Sequence, residues 1–181
     1  MPALPTILFS SFHSGADPQR QSWARFREQV NTRSSASLVV VSSPEQPASA
    51  ARRPLASSGD GESGIWRLLA PNNRELARSS FLYGSFAAAH QHVIRLRGAD
   101  ALTSSTVAGP LAQSFGWFVA WRGVPVMTCT KWYGSVSSSN EAAQAALASF
   151  MRAVVSDAPL RSTTSGRRTT RAGRQGQRAA W

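Results

Sequence analysis

The side chains able to do chemistry in this chain are few and widely spaced. His90 and His92 stand two positions apart in a stretch with helical periodicity, and there they diverge by roughly 200° around the axis. A chelating pair wants i, i+4 spacing on one face. The two imidazoles are therefore read as surface or partly buried groups, and no metal site is assigned. Cys129, between Thr128 and Thr130, is the single cysteine; it has no internal disulfide partner, and no His or Arg is placed by sequence to lower its pKa, so it reads as a small buried hydrophobe. General acid–base work needs positioned carboxylates, and the stretch rich in aromatic and β-branched residues offers only Glu75, Asp100 and Glu141. These stand beside a turn, after a helix and at a helix cap. Ser85 and Ser135 recur in Tyr-Gly-Ser, but neither has the G-x-S-x-G elbow of a nucleophile, and helix capping explains Ser85 more economically. No glycine-rich phosphate loop is present. No catalytic residue and no cofactor is assigned.

Charge is the remaining chemical signal. The formal net charge is +11, and six of those charges are the arginines Arg161, Arg167, Arg168, Arg171, Arg174 and Arg178 of an acid-free C-terminal segment. With Arg122 and Lys131 set among Trp121, Trp132, Tyr133 and Tyr83, they suggest a surface on which bases stack while arginines neutralise phosphates. Two features weaken that reading. Nineteen of the 20 basic residues are Arg, which has the look of a genome-wide bias, and aromatics at strand spacing more often fill a core.

The elements that position these residues come from a duplicated pattern. Ile65 to Tyr83, IWRLLAPNNRELARSSFLY, returns in degraded form as GWFVAWRGVPVMTCTKWY over 116–133. Tyr83-Gly84-Ser85 and Tyr133-Gly134-Ser135 lie 50 positions apart, and Trp66 and Trp117 lie 51 apart. Each copy reads as strand, turn, strand. The first turns at Pro71-Asn72-Asn73-Arg74, where Asn tolerates left-handed backbone, and the second at Arg122-Gly123. Trp66, Leu68, Tyr83, Trp117 and Tyr133 are the expected repeat core. A helix follows each hairpin. The first is capped by Ser85, with Phe86, Ala89, Val93 and Leu96 inward, and stops near Gly98. The second has a Ser138–Glu141 capping box and Ala143, Leu147, Phe150 and Val154 inward. Ser104 to Ala108 is a candidate strand between the copies.

The flanks read differently. Residues 1–64 are expected to be a poorly ordered extension and linker, in which Thr6–Phe9 and Leu38–Val41 form isolated short strands and Trp23, Phe26 and Val30 mark one side of a short helix. From Ser42 to Gly64 hardly an aliphatic is found, so too little apolar surface is available to offset ordering entropy. Residues 158–181 are expected to be a disordered basic tail. The domain then spans 65–157, with repeats 65–108 and 116–157. A single cysteine and the lack of a secretory signal or of a run near 18 apolar residues suggest the cytoplasm.

The series Trp66-x-Leu68-x-Ala70-x-Asn72, then Ser79-Ser80-x-x-Tyr83, then a helix with Val93-Ile94 near its middle, resembles the YegP-like family of small tandem-repeat proteins of unknown function. The resemblance covers about half of the chain, 65–108 closely and 116–157 more loosely. It implies a three-strand, one-helix, one-strand unit, with two units exchanging strands to build one sheet about a pseudo-twofold axis. This sequence departs from the pattern in three places. Gly59 to Gly64 stands where a first strand belongs, so that only Leu38–Val41 is left to supply one. Arg122-Gly123-Val124-Pro125 replaces the Asn turn, and Ser162-Thr163-Thr164 is a poor closing strand. The expected fold is thus α+β, a pseudo-twofold antiparallel sheet with helices on one face. The expected function is a non-enzymatic scaffold or binding module, associating with itself or a protein partner through sheet edges or faces, with a weak, sequence-tolerant nucleic-acid binder as the alternative.

Overall fold

The computed structural model of this protein describes residues 3–12, 14–38 and 63–160. They form β1 (Thr6–Phe12), α1 (Pro18–Leu38), β2 (Ser63–Leu69), β3 (Glu75–Ser79), α2 (Phe86–Arg97), β4 (Leu102–Ala108), β5 (Phe115–Trp121), β6 (Val124–Thr128), α3 (Val136–Arg152) and β7 (Val154–Leu160). One seven-stranded sheet holds all the strands in the order β4-β5-β6-β3-β2-β1-β7. Every pairing is antiparallel except β1 with β7, which is parallel. The sheet is mixed, a correction to the antiparallel expectation, because β1 lies between β2 and β7, and two strands that both run opposite to β2 are parallel to each other.

Both hairpins turn where their residues allow positive φ. Asn73 has φ 61°, and Arg122 and Gly123 have φ 51° and 78°, the paired left-handed geometry of a two-residue turn that matches strand twist. Both helices begin on the recurring serine: Ser85 Oγ accepts from the Ala88 amide and Ser135 Oγ from the Ser138 amide. The Ser138–Glu141 box is therefore replaced. Ser138 lies inside the helix, and Glu141 accepts from the Ser137 hydroxyl at 2.9 Å.

Alternation along the strands assigns two faces. Trp66, Leu68, Ile7, Phe9, Trp117, Val119 and Met127 share one core with Ala89, Val93 and Leu96 of α2 and Ala143, Ala146 and Phe150 of α3. The residues that alternate with these point the other way. Ile65 and Phe12 pack with Trp23 of α1, and Phe118, Ala120 and Val107 pack with Val30 of α1. Helices thus cover both faces, which overturns the one-face expectation.

The largest departure concerns the N-terminal segment. Thr6–Phe12 is no isolated fragment of an extension: it pairs with all of β2, from Thr6↔Leu69 to Phe12↔Ser63, and buries Ile7, Phe9 and Phe12. It, and not Leu38–Val41, supplies the strand next to β2; Leu38 ends α1, and 39–41 lie outside the described residues. The helix expected around Trp23, Phe26 and Val30 is present and longer. Asp17 caps its start, accepting from the Gln19 amide at 2.8 Å, with Pro18 at the first helical position, where a missing amide costs nothing. At the other end, Val154 is not on the helical stripe. It is exposed and opens β7, so residues 158–160, expected in the tail, belong to a strand of the sheet, while 162–164 lie outside the described residues.

Candidate functional site

Two polar constellations occupy the half of the sheet built from β1, β2 and β3. The first is buried. The Trp66 indole N–H donates to the Tyr83 hydroxyl at 3.2 Å, and that hydroxyl lies 2.5 Å from Nδ1 of His92. Tyr83 and His92 are 5% and 9% exposed. Burial, and then the Arg95 charge, lower the His92 pKa to about 4, while burial pushes the Tyr83 phenol well above its ordinary value. Together these states define the proton inventory: a neutral imidazole accepts at Nδ1 from a tyrosine that keeps its proton and itself accepts from Trp66. Phe81 packs its ring against the same imidazole, with centroids 5.5 Å apart. No acid or base is left free to act on a substrate, so the constellation holds α2 against β2.

The second half lacks this chain. Trp117 is as buried as Trp66, but Ala142 stands where the 50-residue offset places the histidine. The Trp117 indole lies close enough to Tyr133 to favour its phenolate, although burial raises that pKa more strongly, and the N–H makes no hydrogen bond of ordinary geometry.

The second constellation faces α1. A register shift between Leu68 and Leu69 turns Glu75 to the same face as Arg67 and Arg78. Arg67 donates Nε and Nη2 to one Glu75 oxygen at 2.9 and 2.6 Å, and Arg78 Nε donates to the other at 2.7 Å. These groups border a cleft of about 370 Å³ between the start of α1 and β1, β2 and β3, with Phe12, Trp23 and Ile65 also in its lining. Sequence reasoning saw Glu75 only as a residue beside a turn. The alternation Arg67, then Glu75 and Arg78 across a hairpin, was the available signal, and the bulge that brings all three to one face was not legible.

The other sequence candidates are dispersed. Arg161, Arg167, Arg168, Arg171, Arg174, Arg178 and His13 lie outside the described residues. Arg122 and Lys131 sit beyond opposite ends of β6, each over its own ring, 5.1 Å from Trp121 and 5.2 Å from Tyr133. Tyr83 is buried, and Trp132 packs against Phe26 of α1 at 5.0 Å while Tyr133 joins the core on the other face. The four aromatics thus form no common stacking surface. Cys129 is fully buried and follows β6 instead of lying within it. Its Sγ accepts from the Trp117 amide at 3.2 Å, and burial raises its pKa to about 11. Asp100 follows α2 and is exposed, and Asp157 lies within β7. Among the described residues no three His, Cys, Asp or Glu side chains gather as a metal site would require, and no helix is long and apolar enough to cross a membrane.

The described residues form an α+β architecture with a seven-stranded mixed sheet and three helices. No protein-family model, curated protein or solved structure matches the chain.

Proposed function

We propose that this chain is a non-enzymatic scaffold module of two YegP-like repeats, and that it associates with a second copy through the open edge of its sheet. The repeat reading draws support from the central pairing. Arg78 is the Cα partner of Thr128, the residue 50 positions on, which is the offset relating Tyr83 to Tyr133. The Gly64↔Tyr83 and Phe115↔Tyr133 bridges recur in the same places of the two copies. The strand after α2 pairs with the second hairpin, and the strand after α3 pairs with β1. The two closing strands run in opposite directions, as a twofold relation requires, and the halves are unequal because β1 stands between β2 and β7 with no counterpart between β5 and β4.

The observation that carries the association is β4. Its seven residues, Leu-Thr-Ser-Ser-Thr-Val-Ala, contain no charge and no proline, and they run in unbroken register along β5. Among the described residues no strand pairs with the outer side. Natural sheets blunt such edges with charge, proline or bulges. The opposite edge, β7, has Asp157, Pro159 and a register irregularity against β1. Trp117 directs both its amide and its carbonyl toward Cys129, so residues 116, 118 and 120 turn to β4. Their partners are 107, 105 and 103. Leu102, Ser104 and Thr106 are left to present their backbone outward. An antiparallel copy satisfies the same groups on both chains.

Sedimentation equilibrium of the full chain tests this. A dimer is expected, and Ser104→Pro, which removes an outward amide and adds no charge, is expected to return it to monomer with the far-UV spectrum retained. A monomer at every concentration, or a dimer indifferent to Ser104→Pro, refutes the edge assignment.

A further inference from the structure

The cleft under the start of α1 has a chemistry that the ion cluster does not exhaust. Glu75 engages Nε and Nη2 of Arg67 and only Nε of Arg78. Nη1 of Arg67 and both terminal nitrogens of Arg78 make no hydrogen bond among the described residues, and both side chains keep part of their surface open, 37% and 22%. A guanidinium is planar, permanently charged and forked, and its spare N–H groups match a carboxylate or phosphate. Two cations against one carboxylate leave a single positive charge at the cleft.

The remaining lining is of a different kind. Phe12 and Ile65 line the cleft from the sheet and Trp23 from α1, each at most 4% exposed, and Ser10, Gln19 and Ser22 add neutral polar groups. A volume of about 370 Å³ lies in the range of small-molecule sites, which pair an apolar wall with a few convergent polar groups. The Trp23 indole N–H is already spent on the Ser79 carbonyl at 3.1 Å, and the Arg27 guanidinium lies 5.3 Å from the ring centre, so Trp23 contributes an apolar edge to the lining and no donor.

From this combination we infer that the cleft is a binding site for a small monoanion with an apolar body, an aryl or acyl carboxylate. The carboxylate takes the spare donors of Arg67 and Arg78, and the apolar part lies toward Phe12, Trp23 and Ile65. A monoanion balances the one unmatched charge. A phosphate dianion exceeds it and has no apolar part to set against the floor.

Benzoate is a suitable probe, with benzamide as its neutral isostere and inorganic phosphate as the purely anionic comparison. Binding is read on the full chain from the indole N–H resonance of Trp23 in an ¹⁵N-correlated spectrum and from the melting temperature. Saturable movement of Trp23 by benzoate is expected, with benzamide and phosphate each at least tenfold weaker. Arg78→Gln is expected to weaken benzoate at least tenfold. Ser22→Phe, which fills the cleft from an exposed helical position, is expected to abolish binding with the fold intact, and it serves as the test if Arg78→Gln does not fold. Absence of saturable movement overturns the site. Benzamide equal to benzoate overturns the charge pairing, phosphate tighter than benzoate overturns the apolar floor, and benzoate binding unaltered in Ser22→Phe overturns the location.

Discussion

Acid sensitivity centred on His92 follows from its burial and its bond to Tyr83. An imidazole ordinarily titrates at 6.5; in the fold this one titrates at about 4. As pH falls through 6.5 the unfolded chain takes up the proton first, so between 6.5 and about 4 the unfolded state binds more protons and stability decreases with decreasing pH. The depressed value means that the contribution is fully present above 6.5 and lost by about 4. A gap of about 2.5 pH units at 1.36 kcal/mol each sets a ceiling of about 3 kcal/mol, and the solvent reaching the ring edge brings the expected loss nearer to about 2. His92→Asn isolates the effect, since an Asn carbonyl can stand where Nδ1 stands and accept from Tyr83 without titrating. Its cost at pH 7 is expected to be about 1 kcal/mol or less, the scale of one altered hydrogen bond. Urea unfolding of both proteins at pH 7 and pH 4 gives the comparison. Carboxylates contribute equally to each and cancel, so the wild-type chain should lose about 2 kcal/mol more than the variant. Parallel losses, or a His92 imidazole resonance titrating near 6.5, refute the assignment of a neutral buried His92.

Other perturbations reach separate parts of the structure. Gly116→Ala places a methyl group 2.6 Å from a Trp132 ring carbon and 3.2 Å from Cys129 Sγ; Trp132 is held against Phe26, so calorimetry should show roughly 1–3 kcal/mol of lost stability. Ser85→Ala and Ser135→Ala each remove a helix cap and should each cost about 1 kcal/mol in chemical denaturation. Cys129 should resist a disulfide-exchange reagent at pH 8 until the chain is unfolded, because a buried thiol with a pKa of about 11 has roughly one thiolate per thousand molecules there. A chain beginning at Gly59 lacks β1, which stands between β2 and β7, and it should show no cooperative unfolding transition by fluorescence.

Local chemistry was legible in the sequence where it acts over a few residues. The Asn and Arg-Gly turns, the Ser85 cap and the apolar stripe of α2 all depend on backbone conformations and hydrogen bonds reaching no further than one turn. The burial of Trp66 and Trp117 was legible too, since alternation along a strand sets it. Thr6–Phe12 escaped assignment to the domain because its partner β2 lies more than 50 residues away, and pairing across such a distance leaves no mark on either segment. The capping box failed for a local reason: Ser135 lay three residues ahead of Ser138 and took its amide. The cleft required more than either segment holds, since α1 supplies Trp23, β1 supplies Phe12, and a bulge in the first hairpin turns Glu75 toward Arg67 and Arg78.

What the sequence determined by itself was a set of elements and their inward faces, since periodicity and turn chemistry are properties of neighbouring residues. Tertiary structure alone decided which strands adjoin, that β7 runs parallel to β1, that α1 crosses to the face opposite the other two helices, and that β4 is the outermost of the described strands beyond β5. Those outcomes are set by which apolar faces find one another once all the elements compete for the same sheet.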